Sequence, residues 1–281
     1  MTSGLSSSKA DRDMDHRHNK AAWDRLAVVG DRLAKPARDI DFENPLKSVD
    51  GPGWLGDSIA GKRTLCLAAG GGRQGPIYAA AGAEVTVVDL SPAMLELDRA
   101  VASERKIKLK TIEASMDFLP MLEDASFDIV IHPVSTCYVP DIAKVYAEVA
   151  RLLVDDGIYI SQHKQPASLQ ATIHSRGDGY RLEHLYYGKQ PLPPETKANF
   201  IREQGTLEYV HRWEEILGSM CRSGMMIEDV TEPLHAKADA HEGSFAHRCQ
   251  FVAPYVRIKA RRKKRTNNPD PTGTSGIILG S

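Results

Sequence analysis

Cysteine is scarce in this chain of 281 residues: there are four, Cys66, Cys137, Cys221 and Cys249, and none forms a CxxC pair or a zinc-ligand spacing. That argues against a disulfide-stapled scaffold and a structural metal site, so no metal is expected, and reduced thiols in a cytoplasmic protein are. Long hydrophobic runs are missing too. No stretch approaches the ~18 apolar residues of a membrane span, and the polar N-terminus lacks the apolar core of a secretory signal. Net charge is nearly absent, at −1, so nothing global attracts nucleic acid or a membrane surface. Internal repeats are not found.

The charge that is present is uneven. Arg257, Lys259, Arg261, Arg262, Lys263, Lys264 and Arg265 put seven cations into nine residues, which leaves the rest of the chain acidic. Residues 257–281 read as a basic, disordered tail, with RNA phosphates as the partner it suits if it binds anything. With 42% hydrophobic and 26% charged residues, the remainder has the composition of a soluble globular protein.

Residues 1–52 read as a polar arm and a helical lead. The first twelve are Ser-rich, and His16 and His18 belong to a solvated arm rather than a metal site. From Asp13 to Leu33 the pattern is helical, with Ala22, Trp23, Leu26, Ala27 and Val28 on one face. Pro36, Pro45 and Gly51-Pro52-Gly53 then mark a loop. Residues 53–163 alternate strand and helix. Strands are expected at 63–68, 84–89, 107–112, 127–131 and 157–161. Between them come a helix ending at Gly82, one capped by Ser91 with Pro92 in its first turn, and one over 141–153. Residues 164–209 break the rhythm and read as an insertion or lid. Residues 210–256 resume the core, with a helix over 212–222 and strands near 225–230 and 245–253. Strands joined by crossover helices imply an α/β fold, doubly wound and mostly parallel.

The chemistry concentrates at Gly70-Gly71-Gly72, a turn between a buried strand and a helix. Without side chains, the backbone there can approach a ligand, and its free N–H groups favour a carboxylate or phosphate. Nineteen residues after Gly70, Asp89 ends the neighbouring strand, where a carboxylate can accept both hydroxyls of an adenosine ribose. Together they indicate an adenosyl cofactor. Gly70 to Gly75 also fits G-x-G-x-x-G, so the glycines alone leave NAD open.

Over 63–166 and 211–230 the chain resembles class I S-adenosylmethionine (SAM)-dependent methyltransferases, the type 11 branch especially. Thr64 to Gly72 resembles the family's first motif, and Val87-Val88-Asp89-Leu90-Ser91-Pro92 its ribose-binding acid and helix cap. Ser115-Met116-Asp117 stands where the family meets adenine. Phe127 to Val130 resembles the fourth strand, His132-Pro133-Val134 the loop beneath the methionine moiety, and His211-Arg212-Trp213 through Gly224 the late helix. The resemblance implies a Rossmann-like, seven-stranded sheet. It assigns the cofactor to Ala68, Ala69, Gly70, Gly72, Gln74, Asp89, Leu90, Ser115, Met116, Asp117, His132 and Pro133. Cys66 stands where the family usually has an acid, Ala68 where it has a glycine, and Ser115 where it has an aspartate.

Such a reaction is an in-line displacement that asks mainly for positioning and exclusion of water. A base helps only where the nucleophile holds its proton tightly. His132, His163 and Tyr138, near the carboxyl ends of the fourth and fifth strands, are the candidates. His132-Pro133-Val134-Ser135 differs from the Asp/Asn-Pro-Pro-Tyr of amine and amide methyltransferases, which argues against base amino groups. The insertion offers Tyr180, Tyr186, Tyr187, Tyr209 and His211 for acceptor specificity, while Trp23 and Asn19 are placed to close the cofactor pocket. The expected function is transfer of a methyl group from SAM to a small-molecule acceptor. The alternatives are an NAD(P)-dependent oxidoreductase, for which no second domain or dehydrogenase-type active site is evident, and a non-catalytic SAM- or RNA-binding module.

Overall fold

The computed structural model describes residues 9–264 except 176 and 198. The arm before residue 9 and the end of the tail from residue 265 therefore lie outside the described residues.

Seven strands form one sheet: β1 (Arg63–Leu67), β2 (Glu84–Asp89), β3 (Leu109–Glu113), β4 (Phe127–His132), β5 (Leu153–Lys164), β6 (Met225–Thr231) and β7 (Tyr255–Arg262), in the order β3-β2-β1-β4-β5-β7-β6. All neighbours are parallel except β7, which runs antiparallel between β5 and β6. The helices are α1 (Lys9–Val28), α2 (Pro45–Val49), α3 (Gln74–Ala80), α4 (Pro92–Arg105), α5 (Ile142–Leu152), α6 (Pro166–Gln170), α7 (Ser219–Arg222) and α8 (Phe245–Arg248). A π-helical turn, Glu214–Gly218, leads into α7.

Local chemistry starts and stops these elements. The Ser91 hydroxyl accepts from the Met94 N–H and Pro92 occupies the first turn of α4, where no N–H is needed. Asp141 caps α5 through the Ala143 N–H. Gly82, at φ +95°, turns the chain out of α3 toward β2. On one face of the sheet, Leu65, Val130, Tyr159, Val256 and Ile258 pack against Val145, Tyr146 and Val149 of α5 and Met220 of α7. On the other, Cys66, Val85, Val87, Ile129 and Ile131 pack against Tyr78 of α3 and Leu95 of α4. Among the described residues no helix is long and apolar enough to cross a membrane.

Three expectations are corrected. The segment 245–253 is not a strand: Ser244 caps the short α8 through the His247 N–H. Residues 257–262 are not a tail but most of β7, whose alternation buries Val256, Ile258 and Ala260 while Arg257, Lys259 and Arg261 face the other way. Counting cations hides that period-2 pattern, because one face of the strand carries three of its four cations, Arg262 alone falling on the other. Finally, β5 starts at Leu153, and the Asp155-Asp156-Gly157 turn is a bulge inside it, with Asp156 at φ +61° and the pairing jumping from Phe127↔Leu153 to Ile129↔Ile158.

Candidate active site

The carboxyl ends of the parallel strands, the edge where doubly wound sheets take ligands, carry the site. After β1 the chain turns through Ala68, whose φ of +47° lies in the left-handed region. That conformation explains why the family prefers glycine here; alanine holds it at some strain. The Gly70 N–H then donates to Asp89 Oδ2 at 2.8 Å, and the Ser91 N–H to Asp89 Oδ1 at 2.9 Å. Burial pushes the Asp89 carboxyl up to about 6, against the opposing pull of the N–H groups of Ser91, Gly70 and Leu90. A Cβ on Gly70 would sit 2.8 Å from Met94 Cβ and 3.0 Å from the Asp89 carboxyl, so the tight approach of turn and acid demands glycine.

Gly71 and Gly72 are held from behind. The Gly71 N–H donates to Asp98 Oδ2 at 2.9 Å, from a carboxylate buried in α4. Burial raises Asp98 to about 7, although the N–H groups of Gly72 and Gly71 draw it down, and its Oδ1 has no hydrogen-bond partner among the described residues. Gly72 serves packing: its Cβ would strike the Leu97 carbonyl at 2.8 Å. Gly75, last glycine of the G-x-G-x-x-G pattern, likewise lets α3 lie on β2, since a Cβ would fall 2.4 Å from Val87.

Above this edge lies a cavity of about 610 Å³, within the ~300–1,000 Å³ of small-molecule sites. Of the residues expected at a cofactor, Ala68, Ala69, Gly70, Gln74, Asp89, Leu90, Ser115, Met116, His132 and Pro133 line it. Gly72 and Asp117 do not; Asp117 stands behind the wall and accepts from the Ser115 hydroxyl at 2.5 Å. Helix α1 closes one side. His16 reaches Ser115 at 3.2 Å, Asp24 accepts from the Ser91 hydroxyl at 2.6 Å, and Trp23 meets Tyr138 edge-on with ring centroids 5.6 Å apart. Asn19 bridges the Tyr138 and Leu207 carbonyls, tying α1 to the loop after β4 and to the 164–209 segment.

The three candidate bases separate clearly. His132 lines the cavity; its Nδ1 bonds the Tyr159 hydroxyl at 2.8 Å and its buried Nε2 has no partner among the described residues. Burial lowers its pKa to about 3, so the ring is neutral near pH 7. His163 does not reach the cavity. Both its nitrogens are occupied, by Thr136 Oγ1 and Ser161 Oγ at 2.8 Å each, and it pins the loop after β4 to β5. Tyr138 lines the cavity, but its hydroxyl donates to Glu203 Oε2 at 2.6 Å, and burial, then the nearby Glu203 carboxylate, hold its pKa well above 10. It is a donor, not a base. His211 spends its Nε2 on the Thr136 and Val139 carbonyls.

Sequence reasoning missed a buried ionic cluster beside the cavity. Lys164 Nζ, at the end of β5, meets Glu203 and Glu208, with Glu208 Oε2 at 2.8 Å. Arg202 joins Glu208 at 3.1 Å and Glu195 at 3.0 Å. Burial alone would lower Lys164, but the two carboxylates outweigh it and raise its pKa. Glu203 also lines the cavity. Glu195, Arg202, Glu203 and Glu208 come from the irregular 164–209 segment, which carries no periodicity from which burial can be read. Among the described residues no group of His, Cys, Asp and Glu gathers as a metal site. The chain's single Tyr-x-x-x-Lys spacing, Tyr255 to Lys259, lies on β7. There the two residues stand about 13 Å apart, where a helix would make them neighbours.

A family profile described as "Methyltransferase domain" matches residues 65–161. The chain is 31% identical over 224 residues to the uncharacterized methyltransferase YbaJ of Bacillus subtilis, covering 75% of this chain and 87% of that protein. It is 32% identical over 199 residues to a ubiquinone biosynthesis O-methyltransferase of Alkalilimnicola ehrlichii, covering 67% of this chain and 77% of the relative. In fold it resembles the crystal structure of an S-adenosylmethionine-dependent methyltransferase from Mesorhizobium loti. There the TM-score is 0.60 at 21% identity, over 76% of this chain and 97% of that one.

Proposed function

Since this chain belongs to the class I SAM-dependent methyltransferases, we propose that it methylates a small-molecule acceptor in the cavity above the glycine turn. The observation that carries this reading is the Asp89 carboxylate, fixed by the Gly70 and Ser91 N–H groups in the wall of that cavity. The residues fit the cofactor. Asp89 would take the ribose hydroxyls and Arg73 and Gln74, in the cavity wall beside the glycine turn, the methionine carboxylate; the Gly70 and Gly71 N–H groups, expected to be free for it, are already spent on Asp89 and Asp98. Ser115 and Met116 are placed for adenine, and Leu90 and Pro133 for apolar contact. His132 Nε2, buried without a partner, is ready to bond a ligand group. When bound, SAM supplies a methyl group made electrophilic by its sulfonium.

The chain's own contribution is positioning. A histidine with its pKa near 3 takes no proton at neutral pH, so His132 orients rather than abstracts. Pro133, Tyr138 and Trp23 wall the cavity against water, which favours near-attack geometry. The 164–209 segment acts as a lid over the acceptor side, a reading supported by Glu203 in the cavity wall and by the Asn19–Leu207 bond. The acceptor atom in this reading is oxygen, which the ubiquinone biosynthesis O-methyltransferases among the relatives support. The free thiols of Cys66, Cys137, Cys221 and Cys249 fit a cytoplasmic setting.

Calorimetric titration with SAM, S-adenosylhomocysteine, NAD and NADP tests the reading. The two adenosyl sulfur compounds alone should bind, and Asp89→Ala should weaken them by the ~1.5–3 kcal/mol of hydrogen bonds to a charged group. Binding of NAD or NADP alone would overturn it.

A further inference from the structure

Strand β7 presents Arg257, Lys259 and Arg261 on one face. Two of the three are neutralised. Lys259 Nζ lies 3.3 Å from Glu228 Oε2, and Arg261 forms an ion pair with the same carboxylate. Arg257 differs: among the described residues its side chain hydrogen-bonds only to the neutral amide of Gln162, through Nε to Oε1 at 2.7 Å, and forms no ion pair. The two are register partners on β5 and β7, so the contact is built into the sheet. The bond aims the guanidinium while leaving its Nη groups free. Arg257 and Gln162 both line the cavity.

Their surroundings suit a flat apolar body. Ile131 and Ile160, on the same face of β4 and β5, and Trp54 line the cavity with them. Trp54 is held in place by its Nε1–H bond to Asp229 at 2.9 Å. Two strand spacings of about 4.8 Å each separate Arg257 from β4, a gap that a ring-sized molecule spans. The glycine turn has a cation of its own in Arg73, the residue that follows Gly72 and also lines the cavity. A cofactor carboxylate therefore needs nothing from β7.

We propose that Arg257 and Gln162 form an anion-binding subsite for the methyl acceptor, which is accordingly an acidic molecule with a carboxylate or phosphate on a flat apolar body. A guanidinium aimed by a neutral partner is suited to such groups, because its remaining N–H donors match two oxygens at once. The inference rests on the methyltransferase reading for the identity of the cavity, but it concerns a different part of it.

The test is titration of the protein saturated with S-adenosylhomocysteine, using benzoate, phenyl phosphate and the neutral benzamide as probes. Benzoate or phenyl phosphate should bind at least tenfold more tightly than benzamide, and whichever is preferred identifies the anion. Arg257→Gln should abolish the preference while leaving S-adenosylhomocysteine affinity within about twofold. Gln162→Glu, which places a carboxylate against the intact guanidinium, should abolish it as well. Equal binding of all three probes by the wild type overturns the proposal, as does a preference that survives both substitutions. A loss of S-adenosylhomocysteine affinity in Arg257→Gln would assign the arginine to the cofactor and also overturn it. If the wild type fails to bind S-adenosylhomocysteine at all, it is the methyltransferase reading that fails.

Discussion

Replacing Gly70 by alanine tests how the glycine turn and Asp89 are fitted to each other. The added methyl would lie 2.8 Å from Met94 Cβ and 3.0 Å from Asp89 Cγ and Oδ2. Neither neighbour can yield cheaply. Met94 Cβ is the root of its side chain on α4, and the Asp89 carboxylate is fixed by the Gly70 and Ser91 N–H groups at 2.8 and 2.9 Å. Overpacking of this kind costs about 1–3 kcal/mol. At roughly 2–4 °C per kcal/mol for a chain of this size, the melting temperature of the unliganded protein should fall by several degrees. Relief comes by rotating Asp89 away, so S-adenosylhomocysteine affinity should fall as well, by tenfold or more if one charge-assisted hydrogen bond is lost. Thermal melts with and without S-adenosylhomocysteine, paired with calorimetry, read both effects. Gly51→Ala is the control, because none of the described residues lies within 4 Å of its added Cβ and its φ is outside the left-handed region. If Gly70→Ala matches Gly51→Ala in melting temperature and ligand affinity, the close approach of turn and acid is wrong and the reasoning with it.

Two further outcomes are expected. Asp98 is raised by burial from 3.8 to about 7, so the folded state binds its proton more tightly than the unfolded state. Its contribution is then fully present below about pH 4 and is lost as pH rises through 7. Asp98→Asn should flatten the decline of stability between about pH 4 and 7 in urea unfolding; an unchanged slope would show that Asp98 is not the titrating group. Lys164→Met should destabilise by about 3–5 kcal/mol, because it strips Glu203 of its buried cation and leaves Glu208 to Arg202 alone. A loss under 1 kcal/mol in the same assay would mean that the cluster is solvated.

Much of the core was legible in the sequence because its signals are local. The buried strand before Gly70, the Ser91-Pro92 cap and the acid at Asp89 are each set within a few residues, and the structure places them at one sheet edge. Some site residues left fainter marks. Asp98 is a carboxylate among Met94, Leu95, Val101 and Ala102 on the buried face of α4, a breach of the helix's own pattern that points to a backbone partner. Ala68, a departure from the family in sequence, proves to be a residue held at positive φ. His163 and Tyr138 looked like bases on position alone; in the structure His163 lies outside the cavity with both nitrogens bonded, and the Tyr138 hydroxyl is committed to Glu203.

The sequence by itself determined the parallel half of the sheet, the glycine turn and the acid that faces it, because these follow from periodicity and spacing along the chain. Tertiary structure alone decided that the cations of 257–262 belong to an inner strand. It also decided that Lys164 meets two glutamates from a segment without periodicity, and that Arg257 faces the cavity beside Gln162 while its neighbours on β7 are neutralised by Glu228. The physical reason is that the meaning of a charge depends on what desolvates it and what stands opposite. Those partners are set by strand register and packing between residues far apart in the chain.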